Sequence, residues 1–253
     1  MLDARQIDAY VENGYLVVPK LVESDELESW SNRFVDIVNG DRPQTRGMVL
    51  MKDVMVAKGA VVPNDPLLGV NKLLNFEDDP GFYSYVEHKN LVTAANDLIG
   101  NDLYSLVTNV FNKPPEVDGR HPLHQDLRYF RMRPPEKIVA AWTAISPCTR
   151  HNGCLAVVPK SHHLGSLQHR LPDWEFVNYA FYGIEDTTGL ERKHIEMEPG
   201  DTVFFHPLLV HGSGRNLTSA CRRSISTHYA SHECESPSPD WRENDRVRRV
   251  QGS

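Results

Sequence analysis

His124 and Asp126 stand two positions apart in Arg120-His121-Pro122-Leu123-His124-Gln125-Asp126-Leu127. In an extended strand, residues i and i+2 project to the same face. An imidazole and a carboxylate would then enter one cavity side by side. That is two thirds of the two-histidine, one-carboxylate face that holds Fe(II) and leaves its other positions open. The third ligand must come from a distant stretch that neighbours this one in space. The run Gly200-Asp201-Thr202-Val203-Phe204-Phe205-His206-Pro207-Leu208-Leu209-Val210-His211-Gly212-Ser213-Gly214 offers His206 and His211. His211 ends an apolar run and precedes Gly-Ser-Gly, a strand end with access to an open cavity. His206 lies an odd number of positions away, so a regular strand puts the two on opposite faces. Pro207 could break that register. The reading takes His211. Each of the remaining histidines, from a total of twelve, is read as an ordinary surface or core residue.

Arg222 follows His211 by eleven residues, across a turn containing Gly and Asn. An antiparallel return strand would bring it back to the metal cavity. A guanidinium there can hold a carboxylate through two parallel hydrogen bonds. Ser213 and Ser224 could add hydroxyls. Arg223 has the opposite parity and should face out. The constellation reads as iron plus a dicarboxylic co-substrate, one end on the metal and the other on Arg222. The plainer alternative is that Arg222 only covers a strand with its stem.

Elements must position these groups. Asp3 to Asn13 reads as a helix capped by Asp3, boxed by Gln6 and closed by Gly14. Tyr15 to Val18 reads as a strand. Ser24 should cap a second helix carrying Leu27, Trp30, Phe34 and Ile37 or Val38 as one buried stripe. Met48 to Ala57 reads as strand. Pro80 should start a helix running to about His88, and Asn90 should cap another that ends at Gly100. Leu103 to Phe111 returns to strand character. Short strands then recur between Pro, Gly and Asn: His121–Leu127, Ile138–Ile145, Cys154–Val158, Lys193–Met197, Asp201–Phe205, Leu208–His211 and Arg222–Tyr229. Many short strands broken by turns predict a double-sheet jelly roll, with an N-terminal helical layer on one face. The whole chain, 1–253, reads as one domain: a helical and strand part (1–100), a jelly-roll core (101–235) and a tail (236–253). Pro159 to Gly189 is the longest structureless piece and could fold over the site as a lid.

Composition narrows the class. Hydrophobic residues make up 40% of the 253 and charged residues 24%, which suits a globular protein with a sizeable core. A net charge of −7 gives no support for general nucleic-acid or membrane binding. No apolar run reaches the roughly 18 residues of a membrane span. Met1-Leu2-Asp3-Ala4-Arg5 has no secretory character, and Val250-Gln251-Gly252-Ser253 carries no Ser-Lys-Leu type address. The expected location is therefore cytoplasmic. Cys148, Cys154, Cys221 and Cys234 lack metal-like spacing and read as reduced, buried thiols.

From about Thr108 to Cys234 the chain resembles the phytanoyl-CoA hydroxylase (phytanoyl-CoA dioxygenase) family of Fe(II)/2-oxoglutarate-dependent dioxygenases. The resemblance rests on Arg120 to Leu127, on Ala141-Trp142-Thr143-Ala144, on Asn152-Gly153-Cys154-Leu155, and on Gly200 to Gly214. It implies the double-stranded β-helix, a cupin-like jelly roll. It implies iron on His124, Asp126 and His211. It implies the far carboxylate of 2-oxoglutarate on Arg222 with help from Ser213. Trp142, Lys72 and Gln125 match further contacts to the same co-substrate, and Asn109 stands where the family carries a methionine. The implied reaction consumes oxygen and 2-oxoglutarate, with ascorbate in a supporting role. It releases succinate and carbon dioxide and hydroxylates the α-carbon of a branched or long-chain acyl-CoA, a step of fatty-acid α-oxidation. Asp126 fills the third protein position and leaves none for a halide, which favours a hydroxylase over a halogenase. Pro159-Lys160-Ser161-His162 resembles a family turn with Lys160 in place of glycine, and its histidine reads as structural.

Arg128, Arg131, Arg133 and Lys137 cluster just after the first ligands in a chain that is acidic overall. A coenzyme A phosphate could land there, or the cluster could be a solvated face. Three other readings stay open: the same chemistry on a small free metabolite, a silent metal-binding jelly roll, and a zinc or manganese enzyme that ignores 2-oxoglutarate. The expected partner is a small molecule, with neither nucleic acid nor a membrane span.

Overall fold

A computed structural model describes residues 1–237 and 241–252. The first helix, α1 (Ala4–Asn13), has the full capping box between Asp3 and Gln6, and Gly14 closes it at φ 79°. β1 (Tyr15–Val18) and α2 (Ser24–Asn39) follow. The cap predicted at Ser24 falls one residue early, on Glu23, without a side-chain bond. Leu27, Trp30, Phe34 and Ile37 form the buried stripe. The predicted strand Met48–Ala57 is cut in two. β2 (Val49–Lys52) stops where the Asp53 carboxylate accepts from Met55 N at 2.8 Å and starts a helical turn, α3 (Val54–Ala57).

β3 (Val70–Leu74), α4 (Pro80–Val86) and α5 (Lys89–Ile99) come next. His88, not Asn90, holds the α5 cap position, because Asn90 donates to Leu21 O at 3.0 Å instead. The remaining strands are β4 (Leu103–Lys113), β5 (His121–His124), β6 (Ile138–Ala144), β7 (Leu155–Val157), β8 (His169–Arg170), β9 (Gly183–Ile184), β10 (Lys193–Ile195), β11 (Thr202–Phe205), β12 (His211–Ser213), β13 (Arg222–Ser231) and β14 (Arg248–Arg249). The tail 236–253 lies partly outside the described residues.

Two antiparallel sheets make the jelly roll. The larger runs β1-β11-β6-β13-β4-β3-β2, with β14 also on β4, and the smaller runs β10-β7-β12-β5. β1, β2 and β3, from the first hundred residues, are thus hydrogen-bonded into the same sheet as β4, β6, β11 and β13. Strand alternation sorts the side chains. Val139 and Ala141 of β6, Phe204 of β11, and Ile225 and Tyr229 of β13 face the helices and pack with Trp30, Phe34, Phe82 and Leu91. Ala140, Trp142, Val203 and Phe205 point the other way, into the space between the sheets, against Leu155 and Val157. A fully buried aromatic such as Phe34 contributes about 3–5 kcal/mol by the cost of its truncation to alanine. The helical layer therefore clamps the large sheet from outside. The same inner face also carries Arg222, Ser224, Ser226 and His228 on β13, and Asn109, Phe111 and Lys113 on β4.

Candidate metal centre and co-substrate pocket

β5 ends on His124 and β12 begins on His211, and the two residues are direct partners in the small sheet. Their rings lie 4.3 Å apart, centre to centre. Asp126 is not on the strand. The strand predicted for His121–Leu127 stops at His124, and Asp126 opens a 3-10 turn through Tyr129. The carboxylate still reaches the histidines. Its Oδ1 is 3.2 Å from His124 Nε2, and its Oδ2 is 3.6 Å from His211 Nε2. One ligand atom from each of the three residues lies within 4.8 Å of the others. Backbone carbonyls set the ring orientations. His124 Nδ1 lies 2.8 Å from Pro122 O, and His211 Nδ1 lies 3.0 Å from Leu209 O. With Nδ1–H donated to a carbonyl, each Nε2 lone pair is left facing the shared centre. Burial pushes His211 down to about 4, so this imidazole is neutral and fit for ligation at pH 7. Burial would raise the Asp126 carboxyl, but His211, His228 and His124 beside it hold it well below the usual carboxylate range.

His206 is elsewhere. Residues 206–210 form a turn, not the predicted strand Leu208–His211, so the parity argument had no regular strand to act on. The His206 ring accepts from Leu208 N at 3.1 Å and lies 5.3 Å from the His162 ring. His162 itself sits 3.0 Å from Val11 O, a tie between the N-terminal helix and the turn. Lys160 adopts φ 65°, the left-handed conformation that explains a glycine at the matching family position.

Arg222 reaches the cavity by a route other than the one predicted. β13 does not pair with β12; it lies between β4 and β6 in the large sheet, and Arg222 spans the gap from there. Its guanidinium donates to Ser224 Oγ at 3.1 Å and to Gly153 O at 2.6 Å, and lies 5.3 Å from the Trp142 ring centre. Its Nε is buried without a partner. Arg223 does take the opposite face, but it is covered rather than free: it donates to Ser31 Oγ at 2.9 Å and to Asn112 Oδ1 at 3.2 Å.

One cavity of about 340 Å³ joins these groups. Its wall includes His124, Asp126, His211 and His228, and also Arg222, Ser213, Trp142, Lys72, Asn109 and Lys113. Lys72 Nζ lies 4.7 Å from the Phe111 ring centre, and burial pulls it down to about 8 against the opposing pull of Asp126. Burial also drives Lys113 well below the ordinary lysine range. Three basic side chains, Lys72, Lys113 and Arg222, thus line the cavity with one carboxylate, Asp126, and among the described residues no acid pairs with Arg222. A buried, unpaired guanidinium is costly unless an anion arrives. The orphaned Nε and the surplus of positive charge fit a small dianion such as 2-oxoglutarate, and the oxygen and nitrogen donor set fits iron.

Not every predicted contact is brought together. Gln125 points away from the cavity, donating to Gly165 O and Leu208 O at 2.8 Å and accepting from Leu167 N at 2.8 Å. It fastens the loops behind His124 and His211. Asn109 lines the cavity with its Oδ1 unpartnered. Arg133 is spent on Phe130 O and Met132 O, Lys137 pairs with Glu233 at 2.9 Å, and Arg128 stacks 4.1 Å from the Tyr182 ring centre. Arg131 is exposed. Within the expected lid, Ala180 and Phe181 line the cavity, and the Phe181 ring lies 4.2 Å from that of His121. The cysteines are free, with Cys221 only half-buried.

Four residues of the site, His228, Phe111, Lys113 and His121, carry no local mark of their role in the sequence. His228 Nε2 lies 2.8 Å from Asp126 Oδ2. Counting on by two from Arg222 and Ser224 reaches it. The same count from Asn109 reaches Phe111 and Lys113. His121, inside the most distinctive stretch, lines the cavity with its Nε2 unpartnered.

A solved epimerase, SnoN in complex with Fe3+, alpha ketoglutarate and nogalamycin RO, superposes with a TM-score of 0.68. It covers 92% of this chain and 84% of that one at 21% identity. A probable phytanoyl-CoA dioxygenase of Caenorhabditis elegans is 44% identical over 241 residues, 92% of this chain and 77% of that protein. The peroxisomal phytanoyl-CoA dioxygenase of Homo sapiens is 40% identical over 240 residues, 92% of this chain and 70% of that protein. Sequence likeness, jelly roll and cavity together define an iron- and 2-oxoglutarate-dependent dioxygenase. Residues 10–224 match the phytanoyl-CoA dioxygenase (PhyH) family, and the chain belongs to it. Among the described residues, no helix is long and apolar enough to cross a membrane.

Proposed function

We propose that this dioxygenase hydroxylates the α-carbon of a branched or long-chain acyl-CoA, and that residues 1–253 act as one catalytic domain. His124, Asp126 and His211 hold the iron. Arg222 and Ser213 hold the far carboxylate of 2-oxoglutarate, with Trp142 and Lys72 as walls and Asn109 at the side. With oxygen as the oxidant, bound iron and 2-oxoglutarate would supply the chemistry that turns a substrate C–H into C–OH: one oxygen atom enters the product hydroxyl and the other enters succinate as carbon dioxide leaves. The chain's own residues do the rest. Nδ1 ties from Pro122 and Leu209 keep both imidazoles aimed. The His228 N–H holds one oxygen of Asp126. Phe205 and Phe181 keep water from the reacting centre.

The observation that carries the substrate reading is the apolar share of the cavity wall. Met51, Leu74, Val107, Phe130 and Phe181 line the same cavity as the three candidate iron ligands. An acyl chain suits such walls. Arg128 and Arg131 are exposed, close in sequence to Asp126, and suit a coenzyme A phosphate. A second reading has one observation in its favour. Asn71 Oδ1 and Asn109 Oδ1 are both orphaned acceptors in the cavity wall. They suit the amide N–H groups of a pantetheine arm, and equally the hydroxyls of a small free metabolite.

Succinate formation from 2-oxoglutarate, with Fe(II) and oxygen, against a panel of acyl-CoAs and free acids decides between them. A 3-methyl-branched acyl-CoA should stimulate turnover, and His211→Ala should abolish it. Stimulation by free acids alone would retain the chemistry and overturn the acyl-CoA assignment. Unchanged turnover in Arg222→Ala would instead point to a metal enzyme that does not use 2-oxoglutarate.

A further inference from the structure

Lys113 ends β4 directly opposite Arg222, its cross-strand partner. Two like charges in that register repel, and both side chains are buried. The acids nearest in effect are engaged elsewhere: Asp53 accepts from Gly119 N at 3.1 Å, and Asp118 pairs with Arg120. Burying such a lysine costs free energy that its own hydrogen bonds must offset.

Its Nζ makes three. It donates to Gly119 O, to Gly214 O at 2.8 Å and to Ser213 Oγ at 3.0 Å. Burial works against the charged form, and the relay requires it: only as an ammonium does the lysine have three donors and no lone pair. All three protons are therefore spent on neutral oxygens, and none is left for an anion. The consequence falls on Ser213. Its oxygen accepts from Lys113, so its single proton must be given in another direction. Ser213 lines the cavity that Arg222 enters. The lysine stem is locked as well, since a Cβ on Gly153 would lie 2.8 Å from Lys113 Cδ, and Gly153 O is the acceptor for Arg222.

We propose that Lys113 is a positioning residue for the co-substrate: by donating to Ser213 Oγ it turns the Ser213 hydroxyl proton onto the far carboxylate held by Arg222, and so sets the preference for a dicarboxylic oxo acid. This rests on the co-substrate reading given above. The lysine touches neither the dianion nor the iron. It fixes the sense of one hydroxyl and adds a positive charge behind it. A neutral side chain here removes both effects.

The test is binding to the Fe(II)-loaded protein without oxygen, followed by the visible charge-transfer absorbance that an oxo acid develops on the metal. Two probes are titrated. 2-Oxoglutarate carries the far carboxylate; 2-oxobutyrate has the same oxo-acid head without it. Lys113→Met should weaken 2-oxoglutarate by about tenfold or more and leave 2-oxobutyrate within about twofold. Ser213→Ala should show the same selectivity. The double variant should be no weaker than Lys113→Met by more than about twofold, because both changes break one relay. Parallel losses for both acids would overturn the proposal in favour of a merely structural lysine. A double loss equal to the product of the single losses would overturn the route through Ser213. If Lys113→Met yields no folded protein by circular dichroism, Ser213→Ala decides alone, and undiminished selectivity there refutes the relay. A wild-type protein that binds iron but neither acid overturns the co-substrate reading itself, and the relay with it.

Discussion

Replacing Arg222 by methionine separates binding from folding. Arg222 is 3% exposed, donates to Ser224 Oγ and Gly153 O, and has no carboxylate partner among the described residues. In the ligand-free fold its removal leaves Gly153 O without a donor, a loss of about 1–3 kcal/mol. It also removes an unpaired buried cation whose desolvation costs several kcal/mol. The two effects oppose, so Tm should move by no more than about 5 °C at roughly 2–4 °C per kcal/mol. Binding has no such offset. Truncating one partner of a buried, hydrogen-bonded charge pair costs about 2–5 kcal/mol. At 1.4 kcal/mol per decade, KM for 2-oxoglutarate should rise from about 30-fold to roughly 4,000-fold. Succinate release measures KM, and thermal melting of the iron-loaded, oxygen-free protein measures the linkage. At 100 times Kd, 2-oxoglutarate should stabilise the wild type by about 2.7 kcal/mol and the variant hardly at all. A variant KM within threefold of wild type would refute the placement of the far carboxylate on Arg222. A collapse in Tm without ligand would refute the claim that this cation is an unpaired burden in the free fold.

His228→Phe should cut metal affinity by about 10–100-fold while leaving the three ligands in place, read by calorimetric titration with Mn(II). Lys72 is pulled down to about 8, so its charge is present at pH 7 and lost by pH 9. KM for 2-oxoglutarate should rise across that window in the wild type and stay flat in Lys72→Met. Stability moves the other way: the unfolded lysine keeps its proton up to about 10.5, so the unfolded state binds more protons between about 8 and 10.5, and wild-type Tm should gain on Lys72→Met as pH rises through that range. Gly153→Ala places a methyl 2.7 Å from Gly214 O at φ +78°. Its left-handed strain alone costs about 1–2 kcal/mol, and denaturant melts should show at least that loss together with a raised KM for 2-oxoglutarate.

Parity along strands carried the sequence reading as far as strands extend. On β13 it correctly puts Arg222 and Ser224 on one face and Arg223 on the other, because the pairing with β4 keeps one register from Arg222 to His228. On β5 it paired His124 with Asp126 although the strand had already ended. A 3-10 turn happens to return the carboxylate to the histidine, which hydrophobic pattern and spacing do not encode. Which strands are neighbours was a harder matter. Arg222 follows His211 in sequence, which predicts a hairpin, yet the jelly roll sends the two to opposite sheets and lets a long side chain bridge them. The same crossing hid Lys113. Nothing local in Phe111-Asn112-Lys113 marks a buried cation, since a lysine at a strand end ordinarily reaches water. Only the register that sets Lys113 against Arg222, with Gly119 from one loop and Ser213 and Gly214 from the end of β12, makes its burial possible. Ligand types are therefore legible where chemistry demands particular residues close together in sequence. The supporting groups are not, because their roles arise from contacts made across the two sheets.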